Sequence, residues 1–188
     1  MPQPCPGQMR SAEEAIQEVL LCLRVAGAKI AKDYVRLPTA DLSYLTHERT
    51  YCYELYHRLR ECLGDTFEFH LMGEVDKPVR WVPSRVRPDL IIHVPGLSGR
   101  AGGNLVAMEV KPLRRASPRN LLDDINKLRS FTTGGLYLLG VLLVYDYRGD
   151  SRPPSVVTRT RELIRRGREE RIVVAWHSGP GKEIEVVP

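Results

Sequence analysis

Long hydrophobic runs are missing from this 188-residue chain, in which no stretch approaches the roughly 20 consecutive apolar residues of a membrane-spanning helix. The N-terminal segment MPQPCPGQMR has no apolar signal core, and the later run VLLCLRVAGAKIA is interrupted by Arg24 and Lys29. These absences argue against an integral membrane protein and against secretion. We therefore expect a soluble, cytoplasmic protein that has no membrane partner.

Cysteine is scarce, and the four cysteines form no CxxC pair of the kind that binds zinc or carries redox chemistry. They are Cys5, Cys22, Cys52 and Cys62. Cys52 and Cys62 lie on one predicted helix, too far apart to be joined by a disulfide. The simplest interpretation is that all four are reduced thiols of a cytosolic protein.

Internal repeats, low-complexity tracts, zinc fingers and a recognition helix are also absent from the sequence. The segment Gly179-Pro-Gly-Lys182 lacks the spacing and the following apolar helix of a phosphate-binding P-loop, and so predicts a turn. The length suits one well-cored domain over residues 1–188. Nothing in the sequence identifies a target sequence for a nucleic-acid partner.

The apolar periodicity divides the chain into helices and strands. Ser11 and Glu14 have the form of a capping box, and apolar residues at helical spacing continue to about Val25. A second apolar stripe ends at Gly64, a typical helix stop. The pattern predicts strands over residues 66–73, 90–94, 105–110, 136–145 and 171–178, helices from near residues 118 and 155, and a final turn with a short edge strand. This is an α/β order, with a mixed sheet of four to five strands and helices on its faces.

Charged side chains converge at the ends of the predicted hairpin RPDLIIHV–PGLSGRAGG–NLVAMEVK. If the two strands pair with Val94 opposite Asn104, Asp89 lies directly across from Glu109. Side chains two apart on a strand share a face, so Lys111 lies beside Glu109.

Two interpretations of this cluster follow. A surface group of cross-strand charges, with Lys111 softening the repulsion between Asp89 and Glu109, is the simpler one. The residues 105–108 and Val110 are apolar on both faces, however, which indicates a buried strand. Facing carboxylates in such a strand are costly unless a cation separates them, and a divalent metal ion is the usual one.

Basic residues flank this cluster, within a chain of net charge +5. Residues 77–100 contain five basic residues and one acid, and residues 111–129 contain six basic residues and two acids. Arginine predominates, and its guanidinium suits bidentate contact with phosphate. A solvated basic surface is one interpretation, and a nucleic-acid backbone is the other.

Pro88-Asp89, nineteen intervening residues and Glu109-Val110-Lys111 resemble the signature of the PD-(D/E)xK nuclease superfamily. The αβββαβ order over about residues 46–178 resembles its restriction-endonuclease-like fold, with residues of about 11–40 as an N-terminal helical extension. The resemblance implies a Mg²⁺-dependent nuclease, with Mn²⁺ as a substitute ion, that hydrolyses DNA to leave a 5′-phosphate and a 3′-hydroxyl.

The resemblance also implies roles for individual residues. Asp89, Glu109 and the carbonyl of Val110 would bind the metal, and Lys111 would orient or help deprotonate the attacking water. Glu54 matches the extra acidic residue that many members carry on the preceding helix, but its spacing equally allows a helical ion pair with Arg58. The residues expected to contact nucleic acid are Arg80, Arg85, Arg87, Arg114, Arg115 and Lys127.

Several alternatives stay open from the sequence. Lys127 matches auxiliary polar residues of some relatives, and it also has the spacing of a helical ion pair with Asp123. The protein could be a catalytically inactive nucleic-acid-binding module of the same fold, or a subunit of a larger DNA-processing or defence complex. RNA is an alternative substrate to DNA, and a homodimer or a partner subunit is compatible with the resemblance.

Overall fold

The computed structural model describes residues 11–41, 43–45, 47–73, 87–95, 103–133, 135–149, 152–167 and 171–187. In chain order the helices and strands are α1 (Ala12–Lys29), α2 (Lys32–Val35), β1 (Leu37–Pro38), β2 (Tyr44–Leu45), α3 (Glu48–Leu63), β3 (His70–Gly73), β4 (Leu90–His93), β5 (Asn104–Pro112), α4 (Pro118–Thr133), β6 (Leu139–Tyr145), α5 (Ser155–Arg166), β7 (Ile172–His177) and β8 (Ile184–Val186). Among these residues, no helix is both long and apolar enough to cross a membrane.

Helix α1 begins at the predicted capping box. The Glu14 backbone N–H donates to Ser11 Oγ, and the Ser11 backbone N–H donates to Glu14 Oε2 at 2.8 Å. The helix continues four residues beyond the predicted end, because its last turn still packs on the core. There Gly27 lies against β8 so closely that an added Cβ would stand 2.6 Å from Ile184 Cγ1.

The main sheet is mixed, as expected, but has six strands in the order β3-β4-β5-β6-β7-β8. The expectation of four to five strands was too low, because β8 pairs antiparallel with β7. Strands β5, β6 and β7 are parallel to one another, whereas β3, β4 and β5 form an antiparallel meander. The short β1–β2 hairpin forms a separate sheet that the sequence pattern did not predict.

Helices cover both faces of the six-stranded sheet. One apolar core joins α1 and α3 to the face of β5 that carries Val106, Met108 and Val110. A second core joins α4 and α5 to the opposite face, which carries Ile91 and Ala107. Asp89 lies two residues before Ile91, and Glu109 lies two residues after Ala107. Both therefore face α4.

The predicted register of the central hairpin is confirmed over most of its length. Leu90 pairs with Met108, and Ile92 pairs with Val106, which is the alignment that places Asp89 opposite Glu109. The predicted pairing of Val94 with Asn104 is wrong, since His93 takes that place. The register shifts between Ile92 and His93, leaving one extra residue on β5 as in a β-bulge. This shift lies at the loop end of the hairpin and leaves the Asp89 end aligned.

Two of the four cysteines form a disulfide, contrary to the expectation of reduced thiols. Cys22 of α1 is bonded to Cys62 of α3, with their Cα atoms 5.5 Å apart, whereas Cys52 is buried and takes no part in this bond. The two helices lie side by side on one face of the sheet. Because the bond joins positions 40 residues apart, local spacing gave no sign of it.

Candidate functional site

Asp89 and Glu109 meet where β4 begins and β5 approaches its end. Asp89 immediately precedes β4, and its Oδ2 accepts a hydrogen bond of 2.7 Å from the Val110 backbone N–H. This bond crosses from one strand to the next, and so holds the Asp89 carboxylate beside the β5 residues that surround Glu109. The predicted pair therefore lies together, on the face of the sheet that α4 covers.

Glu109 is the more deeply buried of the two acids, at 2% exposure. Its Oε2 forms an ion pair of 3.2 Å with Lys127 Nζ. Its Oε1 is buried and has no hydrogen-bond partner among the residues that the structure describes. A buried carboxylate oxygen without a donor costs free energy, which a cation at that position would recover.

Both carboxyl groups have raised pKa values. Burial raises the pKa of Glu109 to about 8, and the neighbouring Asp89 adds to the rise, while Lys127 opposes it. Burial likewise raises the pKa of Asp89 to about 6, against the opposing hydrogen bond from Val110. Raised pKa values in two neighbouring acids show that their ionised forms lack enough positive charge nearby.

Lys111 lies on the same face of β5 but contacts different acids. Its Nζ is 3.2 Å from Asp124 Oδ2 and 3.9 Å from Glu48 Oε2, and its side chain is 17% exposed. The positive charge of Lys111 nevertheless acts on Asp89, where it opposes the rise in pKa that burial causes. Lys111 thus belongs to the charge cluster while its ammonium is held mainly by α4.

Asp124 and Lys127 bring α4 into the site. Asp124 is 3% exposed, and its Oδ1 is 3.3 Å from Lys127 Nζ. The Lys127 ion pair therefore runs to Asp124 rather than to Asp123, which is exposed, so that the Asp123–Lys127 alternative is wrong. Burial alone would lower the pKa of Lys127, but Glu109 and Asp124 together raise it above its ordinary value.

Helix α3 contributes Glu48 to this cluster. Glu48 is the first residue of the helix, and its carboxylate raises the pKa of Asp89. Glu54, the predicted acidic residue of this helix, is buried and forms a 2.7 Å ion pair with Arg58, which is the other alternative that its spacing allowed. A role for Glu54 in metal binding stays a prediction, whereas Glu48 is the α3 acid that contacts Lys111.

The predicted nucleic-acid contacts lie partly within the described residues. Arg80 and Arg85 fall outside them, and Arg87 is exposed just before Asp89. Arg114 and Arg115 are exposed in a single 3₁₀ turn, Leu113–Arg115, directly after β5. These two arginines therefore stand at the same end of the sheet as Lys111.

Sequence reasoning missed Glu48 and Asp124. Asp124 had a weak signal, since it lies three residues before Lys127 on a predicted helix. Glu48 had only its place in the first turn of a helix, where acidic residues are common for electrostatic reasons alone. Both acids reach the site from helices on opposite faces of the sheet, so that only the packed structure shows them together.

The chemistry of the donor set suits a hard divalent cation at Asp89 and Glu109. In the part of the chain that the structure describes, no cluster of three or more His, Cys, Asp or Glu side chains is arranged to hold a metal ion. Two carboxylates with an unpartnered buried oxygen nevertheless fit an ion such as Mg²⁺, which usually takes one or two carboxylates and keeps several waters. Comparison with protein-family models and with curated protein sequences gives no match to this chain.

Proposed function

We propose that this protein is a Mg²⁺-dependent nuclease of the PD-(D/E)xK type that hydrolyses phosphodiester bonds in DNA. The observation that carries the proposal is the pairing of Asp89, directly before β4, with the buried Glu109 of β5, which has an unpartnered oxygen. The element order α3-β3-β4-β5-α4-β6 supports a restriction-endonuclease-like core, because it repeats the αβββαβ order.

The residues divide the work of the proposed reaction. Asp89 and Glu109 would hold the ion, which when bound supplies a water of lowered pKa and stabilises charge that develops on the phosphate. The Val110 N–H keeps Asp89 oriented toward β5. Lys111 and Lys127 bring two ammonium groups to the edge of the carboxylate pair, where they offset the negative charge of an approaching phosphate.

Cleavage assays test the proposal directly. Linear duplex, plasmid, branched and single-stranded DNA, and RNA, are incubated with the protein and Mg²⁺ or Mn²⁺. We expect cuts in at least one form of DNA, their loss in EDTA, and a rate lowered at least about 100-fold by Glu109→Ala, a loss typical when preorganised transition-state electrostatics are removed. Glu162→Ala, at an exposed glutamate of α5, is the matched control and should cut as the parent does. Equal cleavage by Glu109→Ala would contradict the proposal.

A second candidate is a nucleic-acid-binding module of the same fold without turnover. It is favoured by the ion pairs that hold Lys111 to Asp124 and Lys127 to Glu109, since they leave both ammonium groups bound to acids. The cleavage assays separate the two candidates, because this module would bind DNA without cutting it under any metal condition.

Either candidate predicts that Arg114 and Arg115 contact the DNA backbone. Substituting both by glutamine should reduce the slope of log affinity against log salt by about 2, because each phosphate contact contributes about 0.9 to that slope. Fluorescence anisotropy of labelled duplex in EDTA, over a series of NaCl concentrations, measures the slope.

The matched control for this pair is the double substitution of Arg165 and Arg166 by glutamine. These arginines are exposed in the last turn of α5, which leads to the start of β7 and therefore to the opposite end of the parallel strands. The control removes the same charge and should leave the slope nearly unchanged. Identical slopes for the two double variants would show that Arg114 and Arg115 lie outside the DNA contact.

A further inference from the structure

The Lys127 ammonium links two acids that belong to different elements. Its Nζ lies 3.2 Å from Glu109 Oε2 on β5 and 3.3 Å from Asp124 Oδ1 on α4. No other ion pair to Glu109 is present among the described residues. The ammonium therefore already offsets the charge of the carboxylate that the ion would bind, and it lies on Oε2 beside the unpartnered Oε1.

The net charge of the cluster matches that of one divalent ion. Four carboxylates lie in or beside it, and two ammonium groups compensate them. When all are ionised the difference is two negative charges, the amount that one Mg²⁺ or Mn²⁺ neutralises. The acids are Glu48, Asp89, Glu109 and Asp124, and the bases are Lys111 and Lys127.

Of the two lysines, Lys127 is the one that can exchange its partner. Its side chain is 40% exposed, whereas that of Lys111 is 17% exposed. If Lys127 leaves Glu109 it still has Asp124, three residues earlier on the same helix, and it still has water. Lys127 can therefore move away from Glu109 without leaving its own ammonium buried and unpaired.

We propose that Lys127 competes with a divalent ion for Glu109, because in the metal-free protein its ammonium already pairs with Oε2 of the carboxylate whose unpartnered oxygen, Oε1, would bind the ion. The inference rests on the proposed function, since it concerns the same metal site. It implies that Lys127 weakens metal affinity, because the ion has to overcome an existing ion pair and a nearby positive charge.

The test is Mn²⁺ binding to the full chain, measured by isothermal titration calorimetry in the absence of nucleic acid. Lys127→Met should bind Mn²⁺ about tenfold more tightly than the parent, within the roughly 5- to 150-fold range of coupled sites. Lys127→Arg keeps the charge and should bind no more tightly than the parent. Arg119→Met removes one exposed charge from the first turn of α4 and should leave the affinity unchanged.

Unchanged or weaker Mn²⁺ binding by Lys127→Met would overturn the inference. Should that variant fail to fold without metal, the competition is measured on the parent chain by acetylation of lysines and mass spectrometry. Mn²⁺ should speed the acetylation of Lys127 relative to the exposed Lys32, because the amine leaves Glu109. An unchanged or slower rate would overturn the inference as well.

Failure of the inference and failure of the proposed function give different results. Mn²⁺ binding that Glu109→Gln weakens, but that Lys127→Met leaves unchanged, rejects the competition between Lys127 and the ion and keeps the metal site. Mn²⁺ binding that Glu109→Gln leaves unchanged places the ion elsewhere and rejects the site itself.

Discussion

The metal-free protein is expected to lose about 4 kcal/mol of unfolding free energy as the pH rises from about 4.5 to 8. Burial raises the pKa of Glu109 to about 8 in the folded state, from an ordinary value of 4.5. Within that window the folded state binds more protons than the unfolded state, so stability falls with increasing pH. Asp89, with its pKa raised to about 6, adds a contribution of the same sign at the acidic end.

Urea denaturation in EDTA across this pH range measures the effect. Glu109→Gln should remove most of the decline, because a neutral amide replaces the buried acid, and should be more stable than the parent at pH 8. Glu162→Gln, at an exposed position, should keep the decline of the parent. If the unfolding free energy of Glu109→Gln still fell with pH, other titrating groups would be responsible for the decline. Saturating Mg²⁺ should abolish the decline in the parent, since a bound cation favours the ionised carboxylates.

Replacing Asp124 by asparagine is expected to lower the unfolding free energy by about 3 kcal/mol. The Asp124 carboxylate is nearly inaccessible and pairs with both Lys111 and Lys127, so the substitution leaves two ammonium groups with fewer acids. Breaking a buried ion pair from one side typically costs about 3–5 kcal/mol, and the lower value applies because Lys127 is 40% exposed.

The neighbouring residue supplies the control for this substitution. Asp123→Asn makes the same chemical change one position earlier on α4, at an exposed side chain, and should change the unfolding free energy by less than about 0.5 kcal/mol. Urea denaturation at pH 7 compares the two variants. Similar losses for both would mean that helix electrostatics, and not the buried contacts of Asp124, determine the effect.

Local pattern was sufficient for most of the fold. The capping box at Ser11, the apolar stripe that ends at Gly64 and the apolar runs of β5 and β6 each depend on nearest neighbours in sequence, and each is found where predicted. Local pattern does not show which distant segments pair with each other. The pairing of β8 with β7 and the bond between Cys22 and Cys62 depend on which distant segments pack together.

The candidate site shows the same division. Asp89, Glu109 and Lys111 could be placed together because one hairpin carries them, and alternation along its strands determines their faces. Glu48 and Asp124 come from helices on opposite faces of the sheet, and their convergence depends on how those helices dock. The register shift at Ile92 and His93 likewise escaped prediction, since the single extra residue on β5 leaves the apolar pattern of that strand unchanged.

Helix α3 is held at both ends by contacts of different kinds. Its first residue, Glu48, reaches Lys111, and Cys62 in its last turn is bonded to α1. The whole helix has 16 residues and is about 24 Å long. Because Tyr51, Leu55 and Leu59 seat the helix in the core, Glu48 has little freedom beyond the rotation of its own side chain. The disulfide of Cys62 at one end of α3 thus helps to fix the position of Glu48 at the other end.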